Sequence, residues 1–189
     1  MSEPIESEDP GFWISLRDSL LRPKAFFASL NPMGPWGTAL LFAVLTTLIA
    51  AIGMALDDYL FPQKGNALFE ALPWYWDLFD WPIYLVLEFL YLFWFHQILK
   101  WRGGTAYPYR ASFRAYCYTG AATVFYLIPV AGMWIALAWG FFLIFYSLKT
   151  LQKTTWTRVI TSWLIANAVL GLGLFLLIFA AGYFRHYFS

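Results

Sequence analysis

Five long apolar stretches constrain the fold of this chain more than any other feature of its sequence. A helix needs about 20 mostly apolar residues to cross the roughly 30 Å hydrocarbon core of a bilayer. The stretches that approach or exceed this length are Gly37 to Leu56, Trp81 to Leu99, Ala111 to Ile128, Gly132 to Leu148 and Val159 to Phe184. Apolar residues make up 61% of the 189 positions, whereas soluble domains have roughly 45–50%. These features predict an all-α polytopic membrane helix bundle with five transmembrane helices.

The basic residues are distributed unevenly between the two ends of the predicted spans. Ten of the 12 lie before the first span, between the second and third, or between the fourth and fifth. These ten are Arg17, Arg22, Lys24, Lys100, Arg102, Arg110, Arg114, Lys149, Lys153 and Arg158. Cationic loops close to a span resist translocation across the membrane. The pattern therefore predicts a cytoplasmic amino terminus and a carboxyl terminus outside.

The five spans and their loops account for most of the chain, so we predict one membrane domain and no separate soluble domain. Residues 1–10 contain four acidic residues and no basic residue, and we expect them to form a flexible tail. Residues 11–35 are predicted to form a cytoplasmic interfacial segment and residues 36–184 the membrane domain. Residues 185–189 are predicted to form a short outer tail.

The segment 11–35 has apolar residues at helical spacing but is interrupted before it could cross a bilayer. Pro23 divides it into two short helices. The apolar side of the first contains Phe12, Trp13, Leu16 and Leu20, and that of the second contains Phe26, Phe27 and Leu30. Helices of this kind lie in the plane of the membrane interface. We therefore expect two short interfacial amphipathic helices ahead of the first span.

The outer loop between Asp57 and Asp80 is rich in aromatic and acidic residues. Trp74, Tyr75 and Trp76 come just before the second span, where amphipathic rings favour the depth of the lipid headgroups. The acidic residues of this loop lack the regular spacing of a calcium-binding loop. The pattern favours a membrane-interface anchor over a metal site.

Motifs for catalysis and for cofactor binding are missing from the sequence. It contains no nucleophile elbow, phosphate-binding loop, pair of closely spaced histidines or dinucleotide fingerprint. Cys117 is the only cysteine, so one chain cannot form an intrachain disulfide or a cysteine-based metal site. We therefore expect a protein without enzyme activity, cofactor or metal. The concentration of basic residues on one membrane face favours anionic lipid headgroups over nucleic acid as a partner.

Glu88 lies near the middle of the second span, where an acidic side chain is costly unless something offsets its charge. Tyr84 and Tyr91 occupy neighbouring helix positions and can donate hydrogen bonds. His96 follows two turns later on the same side, and Asn167 is a polar residue at depth in the fifth span. Two interpretations remain open. These residues line a polar path for a proton, an ion or a headgroup, or they form interhelical hydrogen bonds that fix the packing.

Small residues recur at four-residue spacing in the last two spans. Gly132, Ala136 and Gly140 form one such stripe, and Gly171 follows Asn167 at the same spacing. Small side chains allow helix backbones to approach closely. We predict helix packing at these positions, within the chain or in a homo-oligomer.

The order of several motifs resembles the Yip1-domain family of five-span membrane proteins. The residues that carry this resemblance are Pro23, Phe26, Phe27 and Leu30 before the first span, Gly103, Gly104 and Thr105 after the second, Phe113 and Tyr116 in the third, Pro129 and Gly132 at the outer turn, and Trp139 and Gly140 beyond it. The resemblance covers about residues 20 to 180. Eukaryotic members of this family are associated with vesicle traffic, membrane shaping and small GTPases.

This chain has only a short segment before its spans and lacks the Asp-Leu-Tyr-Gly-Pro sequence of the eukaryotic members. In these respects it is similar to the compact bacterial members of the family. That similarity implies a location in a bacterial cytoplasmic (inner) membrane. It supplies no catalytic residues.

Three functional hypotheses follow from the sequence. The first is a non-enzymatic membrane protein that organises lipid or partner proteins through its interfacial segment and basic residues. The second is a small transporter, channel or lipid scramblase that uses a polar path at Glu88. The third is an accessory subunit of a larger membrane complex, in which the abundant Trp and Phe residues contact other membrane proteins.

Overall fold

The computed structural model describes residues 10–61 and 77–188 of the chain, and within these ranges it is all-helical. The predictions for the acidic tail and for most of the outer loop lie outside the described residues. The elements are α1 (Phe12–Leu21), α2 (Pro23–Ser29), α3 (Trp36–Leu60), α4 (Asp77–Trp101), α5 (Tyr109–Thr119), a 3-10 helix (Gly120–Leu127), α6 (Gly132–Leu151) and α7 (Trp156–Phe188). Among the described residues, four helices are long and apolar enough to cross a membrane, namely Trp36–Leu60, Phe79–Trp101, Gly132–Leu151 and Trp156–Leu176.

Polar contacts between the helix ends gather the predicted cytoplasmic loops at one end of the bundle, which we call the basic end. Arg110 of α5 donates a hydrogen bond to the Gly34 carbonyl just before α3, at 2.8 Å. Gln152, which follows α6, accepts a hydrogen bond from the Tyr107 amide just before α5, at 2.9 Å. Arg158 in α7 donates to the Gly103 carbonyl after α4, at 2.9 Å. Consecutive long helices therefore run in alternating directions.

The third predicted span is not one continuous α-helix. Its first part is α5, and its second part is the eight-residue 3-10 helix Gly120–Leu127. Runs of 3-10 helix longer than three or four residues are uncommon because their hydrogen-bond geometry is poorer. Here two glycines allow close backbone packing against the 3-10 helix. A Cβ atom on Gly53 would lie 2.6 Å from the Tyr126 carbonyl carbon, and one on Gly132 would lie 2.0 Å from the Phe125 carbonyl oxygen.

The turn from Ile128 to Ala131 connects the 3-10 helix directly to α6 at the end opposite the basic end. Val130 adopts a positive φ of 66° in this turn. Its amide donates a hydrogen bond to the Asp57 carboxylate near the end of α3, at 3.0 Å. The Asp57 side chain thus stabilises the turn that joins the third and fourth predicted spans.

The two short helices before α3 pack against the bundle through α2 and one side of α1. Pro23 is the first residue of α2, as its fixed φ favours. Phe26 and Phe27 are buried, and the Phe26 ring contacts the Tyr118 ring with centroids 5.2 Å apart. On the side of α1 that packs against the bundle, Ser15 and Ser19 are buried.

The outer side of α1 differs from the apolar side that the sequence predicts. Phe12, Leu16 and Leu20 pack against the core, but the Trp13 side chain is 74% exposed, as is that of Leu21. The inward serines make this arrangement possible, because they are small and their hydroxyls bond to backbone carbonyls nearby. Large apolar side chains are thus left on the surface of α1.

The core is concentrated towards the basic end. Among the largest fully buried side chains are Leu92, Phe95 and Leu99 of α4, together with Leu148 and Leu151 of α6. Further from this end α3, α6 and the 3-10 helix stay closely packed, but α7 leaves the core. Every side chain of α7 from residue 167 to residue 176 is exposed. The bundle is therefore closed near the basic residues and open in its other half.

The close approach at Gly53 yields a test of the fold. Gly53→Ala places a methyl group against the Tyr126 backbone, which cannot move aside as a flexible side chain can. Overpacking of this kind costs about 1–3 kcal/mol, so we expect a lower midpoint of thermal unfolding in mild detergent. Gly171→Ala is the matched control, because no described atom lies within 4 Å of its Cβ position. We expect the control to keep or raise the midpoint, and equal midpoints for the two variants would contradict the packing described.

Candidate functional site

A groove of about 380 Å³ lies between α4 and α6 in the open half of the bundle. Its walls come from α3, α4, the α5 and 3-10 segment, and α6. Helix α3 packs against both α4 and the 3-10 helix, and α6 packs against the other side of the 3-10 helix. The side chains of Tyr84, Glu88 and Phe141 line the groove and remain exposed. The groove is therefore open towards the surroundings of the bundle.

Glu88 places its carboxyl group in this groove. It lies 13 residues before Trp101, the last residue of α4, and therefore about 20 Å along the helix axis from the basic end. The Tyr116 hydroxyl of α5 donates a hydrogen bond to the carboxyl group. Tyr84 and Tyr126 line the same groove. Sequence spacing pointed to Tyr84 and Tyr91 on the same helix, and it did not point to Tyr116, which comes from a neighbouring helix.

Asn167 bonds to Tyr91 instead of to Glu88. The Asn167 amide nitrogen donates to the Tyr91 hydroxyl at 2.8 Å and to the Trp163 carbonyl at 2.8 Å. Both Asn167 and Tyr91 line a second, smaller cavity of about 290 Å³. Tyr116 lines both cavities and separates the two polar pairs.

His96 lies away from the groove, in a buried polar cluster near the basic end. Its Nδ1 atom is 2.9 Å from the Ser112 hydroxyl oxygen, which also accepts a hydrogen bond from the Gln152 amide at 2.9 Å. His96 is 4% exposed and Ser112 is fully buried. Gln152 also accepts a hydrogen bond from the Tyr107 amide. The cluster therefore connects α4, α5 and the end of α6. Sequence reasoning missed Ser112 and Gln152, which belong to no recognisable motif.

Two of the basic residues that we considered as headgroup ligands serve the fold itself. Arg114 is fully buried. Its Nε donates to the Asn31 carbonyl at 3.0 Å and its Nη1 donates to the Pro35 carbonyl. Arg110, one helical turn earlier, donates to the Gly34 carbonyl. The two side chains thus bind the turn between α2 and α3.

The other basic residues remain at the surface of the basic end. Arg22, Lys24, Lys100, Lys153 and Arg158 are exposed. Arg102 and Lys149 are half-buried. The Lys149 ammonium group lies 5.2 Å from the centre of the Trp156 ring, and that of Lys153 lies 5.3 Å from the centre of the Tyr107 ring. Cation–π contacts of this kind hold the charges beside aromatic rings without neutralising them.

Arg17 is exposed on α1 and has an acidic neighbour. Its Nε donates a hydrogen bond to the Asp18 carboxylate at 2.8 Å. This hydrogen bond and the positive charge hold the pKa of Asp18 below its usual value, although the pair is exposed to solvent. Part of the charge of Arg17 is therefore compensated within α1.

The small residues of α6 meet the 3-10 helix, whereas Gly171 of α7 meets nothing in the part of the chain that the structure describes. Gly132 contacts the Phe125 carbonyl, and a Cβ on Gly140 would lie 3.7 Å from the Ala122 Cβ. Ala136 is buried and lines the groove. The stripe in α6 is thus an intrachain packing surface.

The family of the chain follows from a comparison with family models. The model of the Yip1 domain matches residues 17–180, which include the groove, the arginines of α5 and the basic end. The chain belongs to the Yip1-domain family. No curated protein and no solved structure matches it. The predicted resemblance to this family is confirmed, and with the apolar helices it identifies a Yip1-family membrane protein.

Arg114 provides a test of how the basic end is held. Arg114→Met removes the charged donor of the Asn31 and Pro35 carbonyls, and a hydrogen bond to a charged group contributes about 1.5–3 kcal/mol. We expect a clear fall in the midpoint of thermal unfolding and faster tryptic cleavage after Lys24, because the α1–α2 segment loses its attachment.

The matched control is Arg158→Met, which removes an exposed arginine that donates to one carbonyl. An exposed substitution of this kind usually changes stability by no more than about 0.5 kcal/mol. Equal effects of the two variants on stability and cleavage would contradict a structural role for Arg114.

Proposed function

We propose that this Yip1-family protein is a non-enzymatic, five-span integral membrane protein that organises anionic lipid at the cytoplasmic leaflet. The observation that carries the proposal is the composition of the basic end. Six of the described basic side chains there are exposed, beside the exposed Trp13 and Leu21 of α1. Basic and aromatic groups together are typical of surfaces that bind the membrane interface.

The lengths of the helices support five spans. Helix α5 and the 3-10 helix follow each other without a break and contain 11 and 8 residues. At about 1.5 Å per α-helical residue and about 2.0 Å per 3-10 residue, they extend about 32 Å. This length matches the hydrocarbon core of a bilayer. With the four longer helices, the segment makes an odd number of crossings, so that the termini lie on opposite sides.

The positive-inside rule supports an orientation with the basic end in the cytoplasm. In this orientation α1 and α2 lie at the cytoplasmic interface, and the Trp13 and Leu21 side chains reach the headgroup region. The resemblance to compact bacterial members supports a location in a bacterial inner membrane. Association with other membrane proteins, including a second copy or a larger complex, remains compatible with the exposed apolar surface of α7.

A second candidate function is transport of a polar or charged species past Glu88. The specific observation in its favour is that the Glu88 side chain is exposed in a groove and not enclosed by packing. The groove lies in the open half of the bundle, away from the surface proposed for lipid. The two candidate functions therefore use different residues.

The lipid proposal is tested by neutralising exposed basic residues. We expect the combined variant Arg22→Gln, Lys24→Gln, Lys153→Gln and Arg158→Gln to lose most of the preference for anionic lipid. Each basic residue near an anionic surface contributes about 1 kcal/mol, so the preference should fall at least about tenfold. The measurement is the ratio of anionic to neutral lipid that the purified protein retains from mixed nanodiscs, at low and high salt.

Two further variants sharpen this test. Asp18→Asn removes the hydrogen-bonded carboxylate beside Arg17 and should increase the retention of anionic lipid. Lys64→Gln removes a basic residue from the opposite side of the predicted topology and should change nothing. If the combined variant retains the same lipid ratio as the native protein, the basic residues only set the topology and the proposal is wrong.

A further inference from the structure

The groove between α4 and α6 has the chemistry of a binding site, and its polar groups indicate what it binds. Its volume of about 380 Å³ falls within the range of about 300–1,000 Å³ that is typical of small-molecule sites. Most of its lining is apolar. None of the described residues that line it is Lys, Arg or His. The only charged side chain among them is that of Glu88.

The threonines of the groove contribute little to binding, because their hydroxyls are used within the helices. Thr47 donates to the Ala43 carbonyl at 2.8 Å, and Thr119 donates to the Tyr116 carbonyl at 2.6 Å. Thr123 lies within hydrogen-bonding distance of the Thr46 and Gly120 carbonyls. The principal polar group available to an occupant is therefore the carboxyl of Glu88.

The carboxyl group of Glu88 keeps unused capacity for hydrogen bonds and ion pairs. A carboxylate offers about four lone-pair positions, and the Tyr116 hydroxyl occupies one of them. A negative charge at membrane depth costs free energy unless a cation or a proton accompanies it. Since none of the described residues that line the groove is basic, an occupant that carries a positive charge would supply this cation.

Aromatic rings share the walls of the groove with the Glu88 side chain. The rings that line it are those of Trp81, Tyr84, Tyr116, Tyr126 and Phe141. The faces of aromatic rings attract cations, and aromatic cages are a known solution for binding quaternary ammonium groups. A carboxylate among aromatic rings favours an occupant that carries one positive charge on an apolar body.

We propose that the groove is a binding site for lipophilic organic cations, with Glu88 as the counter-ion. The apolar body of the ligand lies against the aromatic rings and its charge lies beside the Glu88 carboxylate. This site shares no residue with the basic end, so it holds whether or not the protein organises anionic lipid. The proposal assigns a class of ligand to the groove and does not require that this ligand be transported.

The test uses the full chain purified in mild detergent and two probes of similar shape and opposite charge. We expect radiolabelled tetraphenylphosphonium to bind saturably, and tetraphenylborate to show no binding that depends on Glu88. Glu88→Gln should weaken phosphonium binding at least tenfold. Glu88→Asp keeps the charge and should retain part of the binding. Asp58→Asn is the matched control, because it removes an acid of α3 that does not line the groove, and it should bind as the native protein does.

Thermal unfolding of each variant distinguishes a lost site from a lost fold. If Glu88→Gln unfolds at the native midpoint and no longer binds the phosphonium, the proposal is supported. If neither the native protein nor Glu88→Asp binds it, the pair of Glu88 and Tyr116 serves packing alone and the proposal is overturned. If the protein binds no phosphonium but retains an aminophospholipid that Glu88→Gln loses, the groove binds lipid and the proposal is overturned. Dimerisation that depends on groove residues would also overturn the proposal.

Discussion

Two arginines of α5 hold the point at which the chain enters its first long helix, and the arrangement of the basic end depends on this interaction. A buried guanidinium group must satisfy its donors within the protein, and Arg114 does so on carbonyls of the turn between α2 and α3. A turn leaves its carbonyls outside any helical ladder, so it offers acceptors that a regular helix would not. Because Arg114 and Arg110 bind the same turn, α1 and α2 are fixed against the bundle and the remaining basic residues face outwards around them.

The bundle divides into a closed half and an open half, and the two candidate sites follow this division. Near the basic end, large side chains fill the space and the His96, Ser112 and Gln152 cluster connects three helices. Towards the other end, α3 and α6 approach the 3-10 helix through Gly53 and Gly132, while α4 and α6 leave a groove between them. Glu88 lies in this groove, which gives a carboxyl group at membrane depth access to an external partner. The surface proposed for lipid and the groove proposed for cations are thus physically separate.

The general architecture was predictable from the sequence because its causes are local. Apolar length predicts membrane helices, and proline restricts the backbone at Pro23 and at the turn containing Pro129. The resemblance to the Yip1-domain family was visible in the order of motifs along the chain, and the family match confirms the family. The 3-10 helix was not predictable in this way, because it packs against Gly53, which is distant in sequence and meets it only in the fold. The sequence also does not distinguish an arginine that binds a headgroup from one that binds a carbonyl, so the burial of Arg114 was missed. Helical spacing similarly pointed to Tyr84 and Tyr91 as partners of Glu88, whereas Tyr116 comes from another helix.

The side of the membrane on which each terminus lies tests the five-span arrangement most directly. Cys117 is the only cysteine and is buried, so Cys117→Ser provides a background for labelling single introduced cysteines. In this background, Ser2→Cys and Ser189→Cys are treated with a membrane-impermeant maleimide in intact cells and after permeabilisation. The account predicts that Ser189→Cys reacts in intact cells and that Ser2→Cys reacts only after permeabilisation. Reaction of both termini from the same side would contradict an odd number of spans and, with it, the proposed cytoplasmic position of the basic end.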